Sequence, residues 1–288
     1  MTGRVVLVAT PIGNLTDITL RALEALRLAD RIYAEDTRHS QGLFNAHGIA
    51  TAGRLRSLHA HNERERCAEI VRLAAGGALI AYVSDAGTPG ISDPGAELVR
   101  ACISADVPVE MLPGANAVLP ALVLSGLPTD AFTFHGFLER KGPARSGQLE
   151  MIRVSLVTSV LYESPRRIAA TLQELGEACG LHRPAAVVRE LTKMFEQVRR
   201  ATIGELLASI GDQEIPQRGE CVLVVGPTTA SAQSSPDAGR IALDIDDLLA
   251  SGMRTRDIAD SLSAQYAIPK RDVYEMAVLR SKLRPKRR

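Results

Sequence analysis

Asp85 and Asp93 sit within a glycine-rich segment, Ser84-Asp85-Ala86-Gly87-Thr88-Pro89-Gly90-Ile91-Ser92-Asp93-Pro94-Gly95. Carboxylates and hydroxyls gathered this closely can accept hydrogen bonds from a sugar diol or offset a ligand's positive charge. The glycines let backbone approach that ligand without an intervening Cβ. The preceding apolar run, Ala78-Leu79-Ile80-Ala81-Tyr82-Val83, reads as a buried strand. Asp93-Pro94 reads as an N-cap and a first-turn proline, so a helix is predicted to start there. Strand, loop and helix in this order build nucleotide-like pockets at strand C-termini.

Further carboxylates fall at other predicted strand ends. Glu35 and Asp36 follow the strand Arg31–Ala34, Glu163 follows Val157–Tyr162, and Glu190 follows Ala185–Arg189. A carboxylate so placed could act as a base toward a poor nucleophile such as a hydroxyl. Arg38, Arg166, Arg189 and Lys193 stand beside them and suit phosphate groups, although an Arg–carboxylate pair bridging loops uses the same residues. His59-Ala60-His61 lacks companion ligands, and Cys67, Cys102, Cys179 and Cys221 are scattered, so no metal site and no disulfide is expected. Few aromatics are present, and Phe195 and the others offer no evident base-stacking platform.

These residues need a scaffold, and 288 residues with 45% hydrophobic content suffice for two domains and a small third. Alternating strand and helix patterns predict an α/β fold. Residues 1–113 read as a parallel-sheet domain, opened by the strand Val5–Ala9 and a helix over Asp17–Leu28, with a capping box at Asn62 and Glu65. Residues 114–226 read as a second α/β domain, with a capping box at Thr202 and Glu205. Residues 227–239, rich in Thr, Ser, Ala and Pro, read as a linker. Residues 240–288 carry three helical patterns and resemble a helix-turn-helix module. That segment has 11 Lys and Arg against seven Asp and Glu, whereas the preceding residues have 23 against 26. A basic module behind a mildly acidic body fits a polyanionic partner, with Lys270 and Arg271 as candidate contacts. No apolar run is long enough for a membrane span, and no signal peptide is evident, so a cytoplasmic protein is expected.

Five blocks together carry a resemblance: Ala9-Thr10-Pro11-Ile12-Gly13-Asn14-Leu15, Ala34-Glu35-Asp36-Thr37-Arg38, the Ser84–Gly95 loop, Tyr162-Glu163-Ser164-Pro165-Arg166-Arg167-Ile168 and Arg189-Glu190-Leu191-Thr192-Lys193. The chain resembles the bacterial 16S ribosomal RNA cytidine 2′-O-methyltransferases of the tetrapyrrole (corrin/porphyrin) methylase superfamily. The resemblance implies two α/β domains with an S-adenosylmethionine cleft between them, a C-terminal helical module and a homodimer. It also implies cofactor contacts from Ile12, Thr88, Ile91, Asn116, Ala117 and Tyr162. Asp85, with Gly87 behind it, is the first choice for a cofactor carboxylate on its position alone. Glu190 and Lys193 are preferred as catalytic, acceptor-side residues, and Arg38, Arg166, Lys193, Lys270 and Arg271 as RNA contacts. The base stays unassigned. A tetrapyrrole methylase and a non-enzymatic RNA-binding assembly factor are the alternatives; the basic helical module argues against the first and the glycine-rich loop against the second.

Overall fold

The computed structural model describes residues 3–228, 238–266 and 270–283, which divide into two units at Pro227/Thr228. The first unit holds two five-stranded sheets. Its first sheet is built from β1 (Arg4–Val8), α1 (Leu20–Leu28), β2 (Arg31–Ala34), α2 (Thr37–Ala46), β3 (Leu55–Ser57), α3 (Glu63–Ala75), β4 (Leu79–Val83), α4 (Ala96–Ser104) and β5 (Val109–Leu112). All pairings are parallel, in the order β3-β2-β4-β1-β5. Helices cover both faces, which is why β1 and β4 read as near-continuous apolar runs. Val5, Leu7, Ile80 and Tyr82 pack with α3 and α4, whereas Val6, Val8, Ala81 and Val83 face α1 and α2.

The second sheet follows α5 (Val118–Ser125) and comprises β6 (Phe132–Phe137), α6 (Pro143–Val154), β7 (Thr158–Glu163), α7 (Ile168–Cys179), β8 (Pro184–Arg189), β9 (Gln197–Thr202), α8 (Ile203–Gly211) and β10 (Cys221–Val225). Its order is β6-β7-β10-β8-β9, parallel only between β6 and β7. Helices α6, α7 and α8 cover one face, and α5 covers the other through Val118, Ala121 and Leu122. The capping box on α8 forms as expected, with the Thr202 hydroxyl accepting from the Glu205 amide and the Glu205 carboxylate accepting from the Thr202 amide.

Three local expectations are corrected. Asp93 caps nothing: α4 starts two residues past Pro94, with Gly95 at its N-cap. The Asn62 side chain accepts from the His59 amide instead of capping α3. The first helix is split, because the Asn14 side chain accepts from the Thr16 amide to start a short 3-10 turn before Thr19 caps α1.

The second unit contains α9 (Ala238–Ala250), α10 (Thr255–Tyr266) and α11 (Lys270–Leu283). Ile241, Ile245, Ile258, Leu262 and Val273 form its core, and Arg280 on α11 grips Asp246 on α9 through two hydrogen bonds of 2.9 and 2.6 Å. Most of the expected 227–239 linker, and the basic tail beyond Leu283, lie outside the described residues.

Candidate active site

Three loops converge at the C-terminal edge of the first sheet. Thr10, just past β1, exchanges two backbone hydrogen bonds of 2.9 Å with Gly87, past β4. Gly87 holds φ 78°, a left-handed conformation that suits glycine. Gly114, past β5, lies so close to Ala9 that a Cβ on it would come within 2.9 Å of the Ala9 Cβ. These loops form one side of a cavity of about 630 Å³, within the range of small-molecule sites. Seven of the eight expected cofactor residues line it: Ile12, Gly87, Thr88, Ile91, Asn116, Ala117 and Tyr162.

Asp85, the eighth, is placed elsewhere. It is not among the lining residues; its carboxylate accepts from the Asp36 amide at 2.9 Å, while its own amide donates to Glu35 at 3.4 Å. Asp85 thereby joins the ends of β2 and β4. Burial, together with Asp85 and Asp36, raises the Glu35 carboxyl above its ordinary range, against a hydrogen bond from the Asp85 amide that works to lower it. The carboxylate that reaches the cavity from this loop is Asp93.

The second sheet supplies the opposite side and an unexpected set of aromatics. Phe132, Phe134 and Phe137 all line the cavity with Tyr162. Alternation along a strand would turn Phe137 away from Phe134, but the register shifts between them, where Gly136 adopts φ 63°. The Phe134 and Tyr162 rings meet edge to face at 5.0 Å, and Phe137 tilts against Tyr162 at 5.5 Å. The strand bulge thus assembles an aromatic panel on the cavity wall that residue counts do not reveal. Burial and Asp93 raise the pKa of the Tyr162 hydroxyl, with the Ala117 amide acting in the opposite sense.

Two other carboxylates line the cavity. Glu163 is buried and accepts from the Ser164 amide at 2.7 Å and the Thr171 hydroxyl at 2.6 Å, with Arg167 at 3.3 Å. Glu220 accepts from Lys193 at 3.0 Å. The expected acceptor residues Glu190 and Lys193 do not line the cavity; they bind each other at 3.0 Å, and Glu190 also accepts from the Glu220 amide. Burial pushes Glu190 up, but the Glu220 amide and Lys193 outweigh it and hold the carboxyl below its ordinary range. Glu190 and Thr192 take left-handed φ values of 53° and 63°, and the Thr192 hydroxyl accepts from the Asn14 amide at 3.1 Å. This loop thus fastens the first-strand loop to the Glu220 segment.

Of the expected RNA contacts, Arg38 is exposed and paired with Asp36, Lys270 with Asp260, and Arg271 with Glu275. Arg166 is exposed beside the cavity-lining Pro165. No group of three or more metal-ligating side chains occurs among the described residues, and His59 and His61 contact each other edge to face. Cys221, expected only as a buried small residue, lines the cavity, with burial pushing its thiol up to about 11.

The cavity's residues fit S-adenosylmethionine. Apolar and aromatic side chains suit an adenine, and the carboxylates suit hydroxyls and a sulfonium. The family model for tetrapyrrole (corrin/porphyrin) methylases matches residues 4–207. A Synechocystis protein named ribosomal RNA small subunit methyltransferase I is 41% identical over 276 residues, covering 96% of this chain and 98% of that one. A Mesorhizobium japonicum protein of the same name is 45% identical over 239 residues, covering 83% and 80%. Among solved structures, uroporphyrin-III C-methyltransferase from Thermus thermophilus complexed with S-adenosyl homocysteine shares the fold at 21% identity, with a TM-score of 0.53 over 78% of this chain and 97% of that one. A conserved hypothetical protein from Aeropyrum pernix K1 reaches 0.61 at 20% identity, covering 98% and 97%. Family model, relatives and fold agree that the chain belongs to the tetrapyrrole (corrin/porphyrin) methylases, in the group of the ribosomal RNA small subunit methyltransferase I proteins.

Proposed function

We propose that this protein transfers a methyl group from S-adenosylmethionine to the 2′-hydroxyl of a cytidine in 16S ribosomal RNA. When bound, S-adenosylmethionine supplies the activated methyl. The observation that carries the reading is the cavity walled by the β1, β4 and β5 loops on one side and the Phe134–Tyr162 panel on the other. Its residues hold the donor while a ribose is aligned for in-line attack, a positioning effect worth about 7–11 kcal/mol in favourable cases. Gly87 and Thr88 bring backbone close to the donor, and Asp85 keeps that loop fixed to β2 through Asp36. Arg166 at the rim suits an RNA phosphate, and the α9–α11 unit, with Lys270 and Arg271, suits further backbone contacts.

The protein is read as acting in the cytoplasm as a homodimer. Val123 on α5 is 68% exposed, apolar surface that a second copy would cover. No helix among the described residues is long and apolar enough to cross a membrane. The test supplies methyl-labelled S-adenosylmethionine and small-subunit particles from a strain lacking the modification. Label at a cytidine whose backbone then resists alkaline cleavage supports the reading. Cofactor binding without RNA labelling, or label on a tetrapyrrole, refutes it.

A further inference from the structure

We propose that the Asp93 carboxylate accepts the proton of the acceptor hydroxyl during methyl transfer. This rests on the RNA 2′-hydroxyl reading above. The acceptor oxygen forms its bond to the methyl carbon as the carbon–sulfur bond breaks. The sulfur keeps that electron pair, leaving S-adenosylhomocysteine, and the hydroxyl proton passes to Asp93 and then to water.

Three carboxylates line the cavity, and only one is unengaged. Glu163 spends its oxygens on the Ser164 amide and the Thr171 hydroxyl. Glu220 is bound to Lys193 and its side chain is 72% exposed. Among the described residues no side chain or amide donates to the Asp93 carboxylate, and it does not cap α4. Asp93 is held in position all the same. Pro94, the next residue, accepts through its carbonyl from the Tyr82 hydroxyl and the Gly90 amide, each at 3.0 Å. The Gly95 amide donates to Glu63 on α3 at 2.9 Å, and a Cβ on Gly95 would lie 2.9 Å from the Tyr82 ring. Ser92 takes φ 63°, a left-handed conformation uncommon for serine that such anchoring sustains.

The groups around Asp93 favour a base that works near neutrality. Burial pushes its carboxyl up to about 6, and Glu35 at the end of β2 and Asp85 at the end of β4 add to the effect. The hydroxyls of Tyr82 on β4 and Tyr162 on β7 also sense the Asp93 charge. A base with a pKa close to the working pH combines availability with proton affinity.

Asp93→Asn and Asp93→Ala are compared with the wild type by S-adenosylhomocysteine calorimetry and by single-turnover methylation of small-subunit particles. Carbon-13 spectra of aspartate-labelled protein follow the carboxyl directly. The expected result is a methylation rate at least about 100-fold lower in both variants, with calorimetric affinity within about threefold of wild type. The wild-type rate should rise with pH through a limb that the variants lack, and a carboxyl resonance titrating near 6 should vanish with Asp93. Methylation within about threefold of wild type, or a loss of calorimetric affinity above about tenfold, overturns the assignment; the latter makes Asp93 a cofactor ligand. A wild type that binds the cofactor but methylates no RNA overturns the RNA reading and this one together. A methylating wild type matched by its Asn variant overturns this one alone.

Discussion

Glu190 fills the space that a side chain on Gly219 would need: a Cβ there would lie 2.4 Å from the Glu190 carboxylate. Gly219 also holds φ 85°, which L side chains rarely adopt. The pair sets the position of Glu220 and Cys221 on the cavity wall. Gly219→Ala should therefore destabilise the protein by about 1–3 kcal/mol and weaken S-adenosylhomocysteine binding. Chemical denaturation and calorimetry read both, and unchanged values would show that the segment adapts.

Lys193→Ala should act on stability more than on turnover. Lys193 bridges Glu190 and Glu220, with its own side chain 28% exposed, so the loss should be about 1 kcal/mol after allowance for solvent screening. Glu190 is held below its ordinary range, so its contribution is present at neutral pH and lost as pH falls through its folded pKa. Lys193 is raised against the opposing effect of its burial, so its contribution disappears as pH rises through the folded ammonium pKa. The stability gap between mutant and wild type should thus peak at neutral pH. A tenfold fall in methylation at unchanged stability would instead return Lys193 to the acceptor.

Asp93→Asn should stabilise the fold above pH 6 and not in strong acid. Asp93 is raised from 3.8 to about 6, so the folded state gives up this proton less readily than the unfolded chain. Wild-type stability therefore declines between those two values as pH rises, and the penalty persists above them. Thermal melts should separate at pH 8 and converge below the ordinary aspartate range. Equal melting temperatures throughout would mean that Asp93 is solvated like a surface carboxylate.

Removing residues 240–288 should leave S-adenosylmethionine binding intact while weakening RNA binding. The chain divides at Pro227/Thr228, and every cavity-lining residue precedes that point. Phosphate contacts release counterions, so the truncated chain should show a shallower fall of affinity with salt. Equal affinities and equal slopes for the two chains would remove the helical unit from RNA recognition.

Four strands of the first sheet were legible because parallel strands buried on both faces leave apolar runs such as Val5–Val8 and Leu79–Val83, whereas the short edge strand β3, Leu55–Ser57, leaves none. Edge strand β9 was not legible either, since its exposed Arg199 and Arg200 give it a polar sequence. The glycine-rich loop pointed to the cavity, but not to which of its two aspartates lines it. Asp85, preferred for its place at a strand end with Gly87 behind it, is tied to Asp36, whereas Asp93, read as a cap, lines the cavity. Gly219 and Glu220 were legible only as a polar cluster before the last strand, and Gly219 to Val222 line the site because β10 begins at Cys221.

The position of β10 also bears on how the chain is made. It is the last strand in sequence, yet it lies between β7 and β8, with Cys221 opposite Glu163 on one side and Arg189 on the other. While the ribosome is still adding residues, the first sheet has all five strands by Leu112 and can close early. The second must keep a gap between β7 and β8 until Val225 has emerged, leaving two unpaired strand edges exposed to the cell. Nascent chains arrested before β10 should therefore be the species most dependent on chaperones.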